Sequence, residues 1–246
     1  MTMTNNTKNK LRIAAISDIH VSETSQGIYQ TLFAQISQKA DVIVFGGDFT
    51  NYGKPEEAQV LAAELQALTI PKLGVLGNHD HESGKSDEIR KILKAAGMYF
   101  LDEQEYDMHG VGFAGVKGFG GGFGQHMLSY FGEAENKAYV QAALEEVKKL
   151  EIVLGGLAEQ QKKVVVMHYS PIVETIKGEP AEIYPFLGAT RFEEVIDRFN
   201  VAIVFHGHAH FGSLVGKTGK GAIVYNVALP IMKKLDEKNP YRIVEL

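Results

Sequence analysis

The sequence predicts an α/β protein in which helices cover a largely parallel sheet. Over the first hundred residues, short apolar segments of strand length alternate with segments of helical periodicity. Repeated strand–helix units are typical of parallel strands joined by right-handed connections. The carboxyl ends of such strands meet at one edge of the sheet, where α/β proteins bind their ligands. Functional side chains are therefore expected at that edge.

Three buried strands are predicted in the first third of the chain, and a polar residue follows each of them. The apolar runs cover residues 11–17, 41–46 and 71–76. The polar residues that follow are Asp18, Asp48 and Asn78. Because the three strands are predicted to be parallel neighbours, these three side chains should converge.

Helices are predicted between these strands. A helix over 27–38 would place Ile28, Leu32 and Ile36 on one face. A helix over 55–68 begins at Pro55, which is tolerated because the first-turn N–H has no partner in any helix. A third helix should run from Ser86, as its N-cap, to Ala96 before Gly97.

The second half of the chain predicts a less regular arrangement. Short strands and a glycine-rich segment, 117–124, occupy residues 98–124. Further helices are expected at 133–150 and 190–199, and strands at 163–167, 201–205, 222–227 and 241–244. Since no linker or repeat interrupts the chain, residues 11–246 are predicted to form one domain after a disordered polar tail at 1–10, with 98–135 as a rim or cap over the site.

Composition excludes several classes of protein. The formal net charge is -5 and the basic residues are scattered, so no nucleic-acid-binding surface is expected. The absence of cysteine excludes thiolate metal sites and a cysteine nucleophile. The first ten residues lack the apolar core of a signal peptide, and no apolar run reaches the ~18 residues of a membrane span. A cytoplasmic protein without a membrane contact is the simplest prediction.

Five segments, each at a predicted strand end, carry side chains suited to metal binding. They are Asp18-Ile19-His20, Gly47-Asp48, Gly77-Asn78-His79-Asp80, His168 and Gly207-His208-Ala209-His210. Their ligand atoms are oxygens and imidazole nitrogens, which favour Mn, Fe, Zn or Co. Two divalent cations sharing the Asp48 carboxylate would suit displacement at phosphorus by a metal-bridging hydroxide. Taken alone, the first three segments are compatible with turns, and His206, His208 and His210 are compatible with the polar face of an edge strand. It is the conjunction of the five segments that predicts a dinuclear site.

Other motifs carry less weight. Gly110, Gly112 and Gly115 match the spacing of a dinucleotide-binding loop, but they lie within an apparent strand that no helix follows. Residues 216–218 resemble the end of a P-loop and are interpreted as a turn between strands. The 117–124 segment is either a flexible surface loop or a rim in which Phe119, Phe123 and Tyr130 stack on an organic group. His81, His109, His126 and His206 are not expected to bind metal.

The five segments resemble the calcineurin-like metallophosphoesterase superfamily, with its succession D-x-H, G-D, G-N-H-[DE], H and G-H-x-H over residues 18–210. The resemblance implies a four-layer α/β/β/α sandwich of two mixed sheets. It implies that Asp18, His20 and His210 hold one metal, that Asn78, His168 and His208 hold a second, and that Asp48 bridges the two. His79 would contact the phosphate and protonate or stabilise the leaving oxygen, and Asp80 would orient His79.

The substrate class is predicted from what the sequence contains and lacks. The segment after Gly47-Asp48 reads Phe49-Thr50-Asn51-Tyr52-Gly53 and lacks the Asp and Arg of the phosphoprotein phosphatase signature GDxVDRG. It is more similar to the small bacterial phosphodiesterase-type members. A phosphodiester or small organic phosphate is the leading prediction. The alternatives are a phosphomonoesterase of small molecules and a non-catalytic, metal-binding scaffold of the same fold.

Overall fold

The structure is a computed structural model that describes residues 10–102, 104–159 and 161–246. Apart from Lys10, the polar tail predicted at 1–10 lies outside the described residues. Eleven strands and seven α-helices are found in the described part of the chain.

Five strands form the first sheet. They are β1 (Arg12–Ile16), β2 (Val42–Phe45), β3 (Lys72–Gly74), β4 (Met98–Phe100) and β11 (Arg242–Glu245). Their order is β11-β1-β2-β3-β4. Strands β1 to β4 are parallel, whereas β11 pairs antiparallel with β1. The parallel arrangement predicted for the first three strands is therefore confirmed, and their carboxyl ends share one edge.

Six strands form the second sheet. They are β5 (Tyr106–Met108), β6 (Val111–Val116), β7 (Lys162–Met167), β8 (Ile203–His206), β9 (Val215–Lys217) and β10 (Ile223–Asn226). Their order is β5-β6-β7-β8-β10-β9, with antiparallel pairing only at the two outer strands β5 and β9. Both sheets are thus mixed, and the carboxyl ends of β7 and β8 lie side by side.

Seven helices accompany the sheets. They are α1 (Gln30–Lys39), α2 (Pro55–Glu64), α3 (Ser86–Ala95), α4 (Ala134–Gly156), α5 (Tyr184–Leu187), α6 (Thr190–Arg198) and α7 (Leu229–Leu235). Helices α1, α2 and α3 pack on the first sheet, and α4 and α6 pack on the second. The resulting order of layers is α/β/β/α, as the resemblance implied.

Alternation along the central strands explains this layering, because successive side chains of a strand point to opposite faces. In β1, Ala14 and Ile16 join the core beneath α1, whereas Ile13 and Ala15 join the core between the two sheets. Both faces of these strands are covered, so the strands read as continuous apolar runs rather than alternating ones.

Several local predictions need correction. Helix α1 begins at Gln30 rather than at residue 27. Ile28 precedes the helix and is 62% exposed, so it is not part of the apolar face. That face is formed by later residues such as Phe33. Lys85, not Ser86, occupies the N-cap of α3. Residues 215–217 form strand β9, where a turn was predicted. Helix α7 was not predicted; it is too short to show a clear helical period.

The fold also bears on the glycine spacing at 110–115 and on the absence of a predicted membrane span. Gly112 and Gly115 lie inside β6, and the next α-helix begins only at Ala134, so the dinucleotide-loop spacing has arisen by chance. Among the helices of the described residues, none is both long and apolar enough to cross a lipid bilayer.

Candidate metal centre

The predicted site residues lie where the carboxyl ends of the two sheets face each other. Asp18 and His20 follow β1, and Asp48 follows β2. The turn after β3 carries Asn78, the residue after β7 is His168, and the turn after β8 carries His208 and His210. The structure brings all seven side chains together, with three segments from the first sheet and two from the second.

Asp18, His20 and His210 form the first group of side chains. The Nε2 atom of His210 lies 3.0 Å from Asp18 Oδ1. The rings of His20 and His210 meet edge to face with centroids 5.5 Å apart. One ligand atom from each of the three residues lies within 4.8 Å of the others, a spacing that would let them share one metal ion.

Asp48, His168 and His208 form a second group that satisfies the same distance. His168 Nδ1 donates a hydrogen bond to the Gly46 carbonyl at 2.9 Å, so its Nε2 carries a lone pair. That lone pair faces Asn78 Oδ1 at 2.8 Å and Asp48 Oδ2 at 3.4 Å. The three atoms are all hydrogen-bond acceptors, and no hydrogen lies between them. This arrangement suits a cation.

Asp48 lies between the two groups. Its Oδ2 is 3.4 Å from His168 Nε2 and 3.8 Å from His20 Nε2. Its Oδ1 accepts a hydrogen bond from the His79 N–H at 2.8 Å. One carboxylate oxygen thus fixes the 77–80 turn while the other points to imidazoles of both groups. His20, Asp48 and His79 also satisfy the metal-binding distance.

Buried atoms without partners support a cation at this position. Asp48 Oδ2 and both ring nitrogens of His20 are buried and have no hydrogen-bond partner among the described residues. Leaving such atoms unpaired is costly, and buried polar groups are normally hydrogen-bonded or coordinate metals. The donor set present, carboxylate and imidazole, therefore fits divalent metal ions.

The ionisation of the centre follows from the same arrangement. Burial raises the pKa of Asp48, and the nearby Asp18 and Asp80 raise it further. Burial opposes the ionisation of Asp18 as well, but the hydrogen bond from His210 lowers the pKa of Asp18 overall. Burial lowers the pKa of His20 to about 4 and also lowers the pKa of His168, so both imidazoles are neutral, as metal ligation requires.

Strained backbone accompanies the site. Four non-glycine site residues have positive φ angles, namely Asp18 at 57°, His20 at 44°, Asp48 at 51° and His208 at 67°. Such conformations cost on the order of 1–3 kcal/mol each and cluster at functional sites. The four residues lie in the turns that follow β1, β2 and β8.

Two glycines in the motifs leave room for the carboxylates. A Cβ on Gly77 would lie 2.1 Å from Asp48 Oδ1, and one on Gly207 would lie 2.1 Å from Asp18 Oδ2. Any side chain at either position would displace a carboxylate. The glycines that precede Asn78 and His208 in sequence are thus explained by close packing across the site.

The surroundings of His79 differ from the expectation. Asp80 was predicted to orient His79, but its carboxylate accepts hydrogen bonds from Gly77 N, Phe49 N, Thr50 N and Thr50 Oγ1. His79 Nδ1 instead donates to the Asn51 carbonyl at 2.6 Å. Asp80 is fully buried, and it contacts the 49–51 segment that also carries the carbonyl bound by His79.

A buried polar network beneath the 207–210 turn was not predicted. Asn226 Nδ2 donates to the Ala209 carbonyl at 2.7 Å, and Thr175 Oγ1 contacts His206 Nε2 at 2.8 Å. Burial lowers the pKa of His206 to about 4, so His206 is a neutral member of this network. A signal for Asn226 was present, because it is a polar residue that ends an apolar strand, in register with His206.

The glycine-rich segment 117–124 runs beside α5. Gly121 N donates to the Pro185 carbonyl and Gly122 N donates to the Gly188 carbonyl, at 2.7 and 2.9 Å. Of the aromatic residues expected to form a rim, Phe119 packs against other rings, Phe123 is partly buried against Ile176 and its neighbours, and Tyr130 is 57% exposed.

The four-layer fold and the convergent carboxylates and imidazoles place the protein in the class of metallophosphoesterases, which are hydrolases. The model of the family described as calcineurin-like phosphoesterase matches residues 11–212. The chain belongs to this family.

Individual relatives agree in fold. The phosphopantetheinyl hydrolase PptH from Mycobacterium tuberculosis is 16% identical, with 96% of each chain covered and a TM-score of 0.68. The purple acid phosphatase PPD1 from yellow lupin is 13% identical, with 90% of this chain and 44% of that chain covered and a TM-score of 0.57. At these identities the likeness concerns the fold alone.

One curated relative is similar in sequence over a shorter stretch. The glycerophosphodiester phosphodiesterase GpdQ from Enterobacter lignolyticus (strain SCF1) is 30% identical over 97 residues. That stretch is 35% of this chain and 35% of the relative, so the match spans about a third of either protein.

Proposed function

We propose that the protein hydrolyses a small organic phosphoester, in the first place a phosphodiester, with the help of two divalent metal ions. The single observation that carries this proposal is the position of Asp48. Its buried and unpartnered Oδ2 lies between imidazoles of two ligand groups. A carboxylate in that position would be costly without cations on both sides.

The ligand sets follow from the two groups. Asp18, His20 and His210 would hold one ion, and Asn78, His168 and His208 would hold the other, with Asp48 shared between them. His208 Nε2 donates to the Phe186 carbonyl at 3.2 Å, which leaves its Nδ1 as the ligand atom. The ions, of Mn, Fe, Zn or Co, would neutralise charge on the phosphoryl oxygens and lower the pKa of a bound water.

The remaining chemistry falls to His79. Its Nδ1–H is held by the Asn51 carbonyl, so Nε2 is the atom free to exchange a proton. The ring of His79 stands edge to face with His20 at 4.5 Å, which places it beside the first ligand group. His79 would donate a proton to the leaving oxygen, while Asp80 keeps the 49–51 segment, and with it the Asn51 carbonyl, in place.

Similarity to a glycerophosphodiester phosphodiesterase over a third of the chain favours a diester over a monoester. The test is hydrolysis of bis-p-nitrophenyl phosphate beside p-nitrophenyl phosphate, by protein stripped with a chelator and refilled with Mn²⁺. We expect activity to return with the metal and the diester to be the better substrate. Preference for the monoester would make the protein a phosphatase instead.

A matched pair of variants controls for the loss of an acidic residue. Asp48→Asn should abolish the Mn²⁺-dependent activity, whereas Asp87→Asn, at an exposed position in the first turn of α3, should leave it unchanged. Equal activity in both variants, or no activity of the refilled wild-type protein on either ester, would refute the proposed function.

A further inference from the structure

Lys117 is half buried, and among the described residues no carboxylate forms an ion pair with it. It follows β6, and its ammonium donates one hydrogen bond, to the Gly118 carbonyl at 2.8 Å. The ammonium lies over the rings of Phe119 and Tyr169, at 4.7 and 5.2 Å from their centroids. Within the described part of the chain, no Asp or Glu lies at ion-pair distance from it.

The aromatic rings hold this cation in place and shield it from water. The ring of Phe119 packs against Tyr139 at 4.9 Å and against Tyr169 at 5.8 Å, and Tyr139 contacts Phe186 at 6.0 Å. Aromatic faces attract an ammonium ion, but they do not neutralise its charge. Glu146 is the carboxylate that acts most strongly on this charge, but it lies beyond ion-pair distance and accepts hydrogen bonds from Gly118 N and Lys149 Nζ, at 2.9 and 2.6 Å. The ammonium of Lys117 is therefore left without a direct ion pair, and it can bind a further anion.

Lys117 is also fixed next to the proposed metal ligands. Its carbonyl accepts hydrogen bonds from the N–H groups of His168 and Tyr169, at 3.0 and 3.2 Å. The ring of Tyr169 in turn lies 4.5 Å from that of His208. The cation thus stands at the side of the second ligand group.

We propose that Lys117 is a specificity-determining residue that binds the additional negative charge of a terminal phosphate, so that the site accepts phosphomonoesters as well as diesters. This inference rests on the proposed phosphoesterase function. A diester has one negative charge on its phosphoryl group, whereas a monoester has close to two above its second pKa of about 6. An ammonium already stripped of part of its water interacts more strongly with the extra charge than an exposed lysine would.

The test compares Lys117→Met with the wild type on two pairs of related molecules. Methionine keeps an unbranched stem against the aromatic rings and removes the charge. With Mn²⁺-loaded protein at about pH 8, we expect kcat/KM for p-nitrophenyl phosphate to fall by about tenfold or more and that for bis-p-nitrophenyl phosphate to change by less than about threefold. Calorimetry should show the same contrast in binding, with phenyl phosphate weakened and diphenyl phosphate unaffected.

Two further variants serve as controls for the role of Lys117. Lys117→Arg retains the charge and should restore most of the monoester activity, and Lys91→Met, at an exposed position of α3, should behave as the wild type. Equal effects of Lys117→Met on the monoester and the diester, or none on either, would overturn the inference. If the wild-type protein hydrolyses neither ester, the proposed function fails, and the binding of phenyl phosphate relative to diphenyl phosphate still decides the role of Lys117.

Discussion

Replacing Asp48 by asparagine should stabilise the metal-free protein and at the same time remove its response to metal. The wild-type carboxylate is completely buried, and only one of its oxygens has a hydrogen-bond partner. The amide in Asp48→Asn keeps an oxygen on the His79 N–H. It places its NH₂ group where Oδ2 lay, 3.4 Å from the lone pair of His168 Nε2, so a hydrogen bond can form there.

The expected gain in stability follows from giving a partner to one buried atom that has none in the wild type. A buried polar group left without a partner costs about 1–3 kcal/mol. Removing about 2 kcal/mol of such cost should raise the Tm of a protein of this size by about 4–8 °C. Burial raises the pKa of Asp48 in the folded protein above its ordinary value of 3.8. Below that ordinary value the carboxyl group is protonated and its burial does not require a buried charge. As the pH rises through the raised pKa, the group ionises and the folded wild type loses this stability. The difference between variant and wild type should therefore grow as the pH rises through the raised pKa of Asp48 and shrink toward about pH 4.

The assay is thermal unfolding with chelator and then with increasing Mn²⁺, together with the metal content measured by elemental analysis. Binding to the native state raises the Tm with metal concentration, so the wild type should gain stability. The variant should gain little and hold fewer than two ions per chain. A metal-free variant that melts below the metal-free wild type, or one that still binds two ions, would refute the bridging position of Asp48.

Two other predictions concern residues around the metal ligands. His79→Ala should retain its metal content but lose about 10²–10⁴-fold in kcat on esters with poor leaving groups. The loss on p-nitrophenyl esters should be much smaller, because a good leaving group needs no proton. Equal losses on both kinds of ester, measured by steady-state kinetics, would count against His79 as the proton donor. Asn226→Ala leaves the Ala209 carbonyl without its donor and should weaken Mn²⁺ binding by about 10–100-fold, as seen by metal titration, because the His208–His210 turn loses its support. Unchanged Mn²⁺ affinity would show that this turn is rigid without Asn226.

Much of the fold could be predicted from sequence because its strands are buried on both faces. Such strands appear as uninterrupted apolar runs, which are easy to recognise, as in the segments that became β1 and β2. Elements that are short or at a sheet edge were harder. Strand β9 has exposed residues at both ends, and α7 spans only two turns around Pro230, so neither shows a clear period.

The sequence by itself determined which side chains could form the site. Asp18, Asp48 and Asn78 each follow a buried strand, and these three strands are parallel neighbours in one sheet. The carboxyl ends of parallel strands meet at a common edge. The identity of the donors, carboxylate, amide and imidazole, also belongs to the sequence, and it limits the metals that fit.

Only the tertiary structure decided how these side chains and their neighbours are paired. His168, His208 and His210 come from a second sheet, and no sequence period specifies how two sheets pack face to face. Asp80 binds the 49–51 backbone rather than His79, because the fold brings that backbone within reach of its carboxylate. Likewise, the rings around Lys117 come from four separate segments, so the accessibility of its charge depends on packing between them.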